Sequence, residues 1–471
     1  MLKKALMLVS GNAFASLLLL IRNLLVARML SPEDYGIAST FAIAMSIVEM
    51  MSYLGLQQLI VVDKDGDDPH VQAAMQGFQV IRGVFSSAVM FAIAVPYATF
   101  LGIPQVGWAY QILAVLPMLN GLQHFDQHRL KRHLNFTPAI LSSSIPALIA
   151  VLTLWPIAMI WGDYRVMLVS LFIQAATMVL LSHLTAERRY RLAFDMDVIR
   201  RSMKFGWPLL LNGILLFGIF NGERLIVGRE LGMASLAIFS MAFTLSLTPT
   251  LVMANSIQSF FLPMLSNARD NPGEFQHLGK VTMEAGLVVG IMLVFATAVI
   301  GGPVVGYLLG PKYFDILPIL LPLAVMQAVR VAKTGSSVVA LAKERAGNAI
   351  AANLFRVAAL PIAWIIAIRT GDIIAISWVA VAAEAAGFAF SLYLVRSRAG
   401  LLLRPLVIPI LLTALVCTVS TFVSWAEPEA PTFGQQWHPL YLIVIAVSIL
   451  SLLGMSGLRG FALRRLRQRF R

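Results

Sequence analysis

Along this chain apolar residues come in runs of about twenty, each bounded by a short polar stretch. Fourteen runs qualify, at 8–27, 37–61, 73–101, 107–124, 137–161, 166–185, 204–227, 234–262, 281–309, 317–341, 349–368, 372–395, 405–425 and 439–457. Coiled as α-helix, a run of that length matches the hydrocarbon thickness of a bilayer. The pattern predicts an all-α integral membrane protein with about 14 transmembrane helices. Prolines interrupt many of the runs (Pro96, Pro117, Pro146, Pro208, Pro249, Pro322, Pro361). Each removes a backbone donor and can kink its helix.

The runs also repeat. Ala27-Arg28-Met29-Leu30 and Ile37-Ala38-Ser39 return 201 residues later as Gly228-Arg229-Glu230-Leu231 and Ile238-Phe239-Ser240, while Lys3 falls on Lys204 and Arg22 on Glu223. The expected organisation is an N-lobe at 1–185 (spans 1–6), a basic linker at 186–203 and a C-lobe at 204–395 (spans 7–12). Spans 13 and 14 and a basic tail follow at 396–471. Six is even, so the copies insert in the same sense. They would be related by a pseudo-two-fold axis along the membrane normal, around a central cavity that can alternate between the two sides.

Composition agrees. Of 471 residues, 59% are apolar and 13% charged, and mean hydropathy is +0.81, whereas a soluble chain is about one-quarter charged. The net charge of +13 would point to nucleic acid in a soluble protein, but its distribution explains it otherwise. Twenty-five Lys and Arg fall between spans on one side and five (Arg28, Arg165, Arg229, Lys312, Arg369) on the other. By the positive-inside rule both termini are cytoplasmic. The Met1-Leu2-Lys3-Lys4 start is expected to open an uncleaved first helix, since Arg22 and Asn23 interrupt the run. The single Cys417 permits no intrachain disulfide.

Six cations remain inside the runs: Arg22, Arg82, Arg224, Arg330, Lys333 and Arg356. The acids at comparable depth are Glu49, Glu223, Glu384 and, near a helix end, Glu284. A cation near the bilayer centre costs roughly 2.5–3.5 kcal/mol, so such residues face protein or water and mark paths for anions. The net-positive interior predicts passage of an anion or anionic lipid. Arg22 either snorkels to the outer headgroups or faces a wet lumen, with Asn12 and Ser16 on a neighbouring face. Arg330 and Lys333 share a stripe with Gln327, Thr334 and Ser337; they face the lumen or pair with an acid such as Glu384. Arg82 and Arg356 are open to pairing or substrate contact. Glu49 and Glu384 either couple transport to protons or pair with arginines. Arg28, Arg229, Glu33 and Asp34 are expected to cap helices and hold the outer turns.

At residues 22–36 the chain reads Arg22-Asn23-Leu24-Leu25-Val26-Ala27-Arg28-Met29-Leu30-Ser31-Pro32-Glu33-Asp34-Tyr35-Gly36. With Leu54-Gly55-Leu56, Gln58-Leu59-Ile60, Arg132-His133-Leu134-Asn135-Phe136 and Phe205-Gly206-Trp207-Pro208-Leu209, this resembles the polysaccharide flippases of the MOP superfamily over residues 1–265. The related lipid-linked peptidoglycan-precursor flippases also carry an arginine where Arg22 sits. Many relatives have Asp where Asn221-Gly222-Glu223-Arg224 stands here, so Glu223 is a candidate replacement. The resemblance implies transfer of polyprenyl-pyrophosphate-linked oligosaccharides from the cytoplasmic to the periplasmic leaflet of a bacterial inner membrane, for O-antigen or exopolysaccharide assembly. It implies a cationic lumen holding pyrophosphate or sugar acids. It also implies, as partners, membrane lipids and the polymerase and chain-length regulator of the same pathway, with no nucleic acid.

Other readings are a multidrug or organic-ion antiporter of the same superfamily, which wants an acidic cavity, and a membrane-embedded glycan polymerase or ligase. The outer loop 426–438 is short and lacks arginine, which disfavours the enzyme. A major-facilitator carrier would need a basic Gly/Asp/Arg signature after span 2. His124, His128 and His133 surround Asp126, but Arg129, Lys131 and Arg132 oppose a metal cation, so no metal site is expected. No nucleophile–base pair or phosphate-cradling glycine loop occurs. No cofactor and no enzymatic activity are predicted.

Overall fold

Polar residues before the apolar runs set the helix starts. The computed structural model describes residues 2–52, 54–345, 347–426 and 439–469. Helix α1 (Leu2–Met29) ends at the Ser31-Pro32-Glu33-Asp34 run, where Ser31 accepts from the Asp34 amide at 3.1 Å and starts α2 (Pro32–Met51). A serine N-cap, proline in the first turn and two acids complement the unpaired amides and the dipole there. Next come α3 (Leu56–Val62), α4 (Pro69–Phe100, capped by Asp68), α5 (Gly107–Leu113), α6 (Val115–Gly121) and α7 (Asp126–Arg132). Helices α8 (Thr137–Leu152), α9 (Leu154–Ile160) and α10 (Arg165–Leu184) follow.

Helix α11 (Met196–Asn267) is broken at Gly232, whose φ of 84° lies in the left-handed region. Then come α12 (Pro272–Leu308, capped by Asn271), α13 (Leu317–Ala342), α14 (Gly347–Ala358), α15 (Leu360–Thr370) and α16 (Ile373–Ala399, capped by Asp372). The chain closes with α17 (Val407–Ala426), α18 (Leu440–Leu453) and α19 (Ser456–Arg469).

The protein is an all-α, multi-pass membrane protein. Among the described residues, nine helical stretches are long and apolar enough to cross a bilayer, or up to ten if α18 and α19, bent by 64°, form one span. Fourteen remains the count read from the sequence. One expected run is divided: 37–61 is helical only to Met51, and α3 restarts after Gly55, which is left-handed at φ 61°. The expected outer loop lies, beyond Ala426, outside the described residues, as do the side chains of Lys3, Lys4, Asn12 and 464–471.

Several helix boundaries recur at a spacing near, but not constant at, the expected offset. Gly232 breaks α11 at the position 201 residues after Ser31, the cap between α1 and α2. Farther on, Pro69 at the start of α4 corresponds to Pro272 at the start of α12. Pro104 and Pro311 each open a 3₁₀ turn, and the broken pair α8–α9 corresponds to α14–α15.

Packing divides the chain at a different place from the repeat, into Met1–Ala237 and Ile238–Arg471. In the first unit Gly36 lies directly on the Met233 carbonyl, leaving no room for a Cβ. In it Leu56, Leu59, Ile60, Met75 and Phe125 also form a buried apolar cluster with Val198 of α11. The core of the second unit joins α12, α13, α16 and α17 to the last part of α11.

Candidate functional site

In the second unit the helical repeat puts Arg330 and Lys333 of α13 one turn apart. Their neighbours α14 and α16 bring up Arg356 and Glu384, and Gly387 allows the approach: a Cβ there would strike the Ala352 carbonyl at 2.6 Å. Three cations converge on one carboxylate. Glu384 Oε2 is 3.3 Å from Arg330 Nη2 and 3.3 Å from Arg356 Nε, and Lys333 Nζ pairs with Oε1. Lys333 also donates to Asn353 Oδ1 at 2.9 Å, Arg330 to Gln327 Oε1 at 3.1 Å and Arg356 to the Ala380 carbonyl at 3.2 Å. Glu384 is fully buried and Arg356 is 1% exposed. Three positive charges against one negative leave the cluster with an excess of two.

The first unit holds its cations differently. Arg22 on α1 is buried and donates through Nη1 to Gln174 Oε1 on α10 at 2.5 Å. Arg224 on α11 donates to Asn221 Oδ1 at 3.3 Å. Both guanidinium charges act on the buried phenol of Tyr35, and Arg224 acts also on that of Tyr97. Tyr110 bonds the Thr40 hydroxyl beside them. Gln174 and Asn221 bond these arginines, the phenols of Tyr35 and Tyr97 feel their charge, and Glu223 is buried on the same helix as Arg224. Arg82 is half-buried and donates to the Ser52 carbonyl at 3.0 Å and its hydroxyl at 3.3 Å. Glu49 is exposed and feels the charge of Arg82.

Other expected positions have structural tasks. Arg229 donates to the Phe100 carbonyl at 2.6 Å, covering the end of α4, and lies 5.4 Å over the Phe100 ring. Glu284 is buried and accepts from the Leu458 amide at 2.7 Å, at the start of α19, with Lys280 3.5 Å away.

The acidic loop 63–68 is balanced by bases from α7, from the segment before α11 and from α11 itself. Arg129 bonds Asp126 at 2.5 Å, Glu187 at 3.1 Å and Asp67 at 3.3 Å; Arg188 reaches Asp67 at 3.3 Å, and Arg201 reaches Asp63 and Asp65. Asp126, singled out in sequence beside three histidines, is occupied by this network. Burial alone would raise its pKa, but Arg129 and the amides of Glu187 and Arg188 outweigh that and hold the carboxyl below its ordinary value. Asp67 is held down chiefly by its hydrogen bond to His133. Burial pushes the His128 ring down to about 3, so it stays neutral.

The family model described as "Polysaccharide biosynthesis protein" matches residues 25–318, more than half of the chain. The chain belongs to this polysaccharide biosynthesis family. A curated relative, the succinoglycan biosynthesis transport protein ExoT of Rhizobium meliloti (strain 1021), is 23% identical over 314 residues, covering 65% of this chain and 62% of the relative. The chain thus matches less than two-thirds of that relative's length. Among solved structures, lipid II flippase MurJ in an inward closed conformation superposes with a TM-score of 0.69 at 17% identity, over 97% of this chain and 99% of that one. An inward-facing multidrug resistance MATE family transporter of the MOP superfamily gives 0.67 at 16% identity, over 81% and 95%. The fold of this family member is therefore that of MOP-superfamily transporters, as the residues at 22–36 had suggested.

Sequence reasoning missed Gln174, Tyr35, Tyr97 and Asn353. Tyr35 sits within the Pro-Glu-Asp-Tyr-Gly run and was within reach of a motif argument. Gln174 and Asn353 are single amides in apolar runs, and nothing local marks which cation each serves.

Proposed function

We propose that this chain flips polyprenyl-pyrophosphate-linked oligosaccharide repeat units from the cytoplasmic to the periplasmic leaflet by alternating access, for O-antigen or exopolysaccharide biosynthesis. The observation that carries the reading is the excess of positive charge around Glu384, where Arg330, Lys333 and Arg356 share one carboxylate. Forked guanidinium donors suit phosphate oxygens, and a diphosphate would supply the charge the cluster lacks. Arg22 and Arg224 would serve the same cargo from the first unit. Arg82 and the acids Glu49 and Glu223 would tune it.

A second feature suits the lipid part of the cargo. In the second unit an apolar cavity of about 970 Å³ opens among α13, α16 and α17, lined by residues including Leu321, Pro322, Val325, Trp378, Phe388 and Phe422. A polyprenyl chain has the chemistry for such walls. The cation excess weighs against export of organic cations. The reading places the protein in the inner membrane with both termini cytoplasmic, two repeat-related lobes at 1–185 and 204–395, and the polymerase and chain-length regulator as partners.

The test is to delete the protein and locate the lipid-linked oligosaccharide with an impermeant sugar-modifying enzyme. Repeat units trapped on the cytoplasmic leaflet support the flippase. Units that reach the periplasm but stay unpolymerised remove it and favour an enzyme of the same pathway.

A further inference from the structure

A second cavity lies in the first unit, well away in sequence from the cluster at Glu384. It measures about 220 Å³, and its walls include Gln72 and Gln76 of α4, His124 before α7, and Arg188, Arg189 and Arg191 before α11. The neighbouring acids are already committed: Asp126 and Asp67 accept from Arg129 and Arg188. Gln72 accepts from Arg188 at 2.9 Å, and Gln76 donates to the Gln123 carbonyl at 3.0 Å. Arg189 and Arg191 are exposed and make no ion pair among the described residues.

His124 supplies an independent sign of a ligand. It is 3% exposed. The Asp126 amide donates to its Nδ1 at 3.1 Å, so in the neutral ring the proton is on Nε2. The buried Nε2 makes no hydrogen bond of full geometry among the described residues; the Arg188 backbone acts on the ring only as the smallest of several influences, and an under-satisfied buried donor is costly. An acceptor in the cavity would satisfy it.

We infer that this cavity binds a phosphoryl anion, held by Arg189 and Arg191 with Arg188 and the Nε2–H of His124. The guanidinium forks match phosphate oxygens, and the volume admits a diphosphate. The group can come from free phosphate or pyrophosphate or from an anionic phospholipid headgroup. The site uses no residue of the proposed transport cluster and stands without that reading.

The experiment uses the full chain in phosphatidylcholine nanodiscs, titrated with inorganic pyrophosphate by equilibrium dialysis and by thermal unfolding. Parallel discs replace part of the lipid with phosphatidylglycerol. Wild type is compared with Arg189→Gln/Arg191→Gln and with Arg404→Gln, an exposed arginine elsewhere. Pyrophosphate affinity that falls about tenfold in the double variant and is unchanged in the control supports the site with a soluble anion. Stabilisation by phosphatidylglycerol alone, lost in the double variant only, supports it with a headgroup. Equal behaviour of wild type and double variant toward both anions overturns it. Residual binding common to all variants reports the other cationic cluster.

Discussion

Replacing Glu384 with glutamine leaves Arg330, Lys333 and Arg356 buried around a neutral amide. At an effective dielectric of about 20, each 3.3 Å contact to the carboxylate is worth about 5 kcal/mol of gross attraction. Desolvation and repulsion among the three cations cancel much of that sum, and breaking a buried ion pair by removing one partner costs about 3–5 kcal/mol in practice. Glu384→Gln is therefore expected to destabilise the protein by that amount. Adding Lys333→Met removes one uncompensated cation and should recover part of the loss, so the two changes are strongly non-additive. The assay is thermal or denaturant unfolding of the purified protein in nanodiscs for wild type, both single variants and the double variant. A Glu384→Gln protein as stable as wild type, or a double variant no better than Glu384→Gln alone, would refute the ion-cluster account.

Four further outcomes are expected. Arg22→Ala and Arg330→Ala each cripple glycan export with protein levels intact, as read by surface polysaccharide and immunoblot; wild-type export by both would sink the cationic-site model. Between pH ~6.5 and ~3 the neutral, buried His128 favours folding less with each step down in pH, by about 1.4 kcal/mol per unit. Protection factors across 124–133, corrected for the intrinsic pH dependence of amide exchange, should therefore fall below pH ~6.5 in wild type and change less in His128→Gln, with the depressed Asp126 and Asp67 carboxyls contributing only at still lower pH. Gly36→Val forces a side chain into the Met233 carbonyl and should cost about 1–3 kcal/mol, seen as a lowered unfolding temperature. Glu284→Gln weakens the anchor of α19 at Leu458, and faster tryptic cleavage at Arg459 is the readout; unchanged cleavage rules out the anchor.

Apolar length is a local signal and made the helical runs legible; the residues that cap α2, α4, α12 and α16, Ser31, Asp68, Asn271 and Asp372, were not singled out. The repeat is an expectation read at Gly228-Arg229, and the break in α11 at Gly232 lies at the same offset from Ser31. The division at Gly55 was not legible, since Leu56–Val62 is as apolar as the run before it and only backbone conformation separates them. At the candidate site the Arg330–Lys333 stripe could be read from helical spacing, and Glu384 was on the list of acids. That Arg356 joins them depends on α14 packing against α16 over Gly387, a long-range fact without a local mark. The pairing of Arg22 with Gln174 spans 152 residues and was hidden for the same reason.

The glycine contact between α2 and Met233 has a consequence for how the protein is made. The first packed body runs to Ala237, although the expected second copy begins at Lys204. A nascent chain halted at the linker would have inserted all the helices of the first copy, yet Gly36 would still face no carbonyl and Val198 would be missing from its apolar cluster. Full packing of the first half is thus expected to wait on the segment from Val198 to Met233.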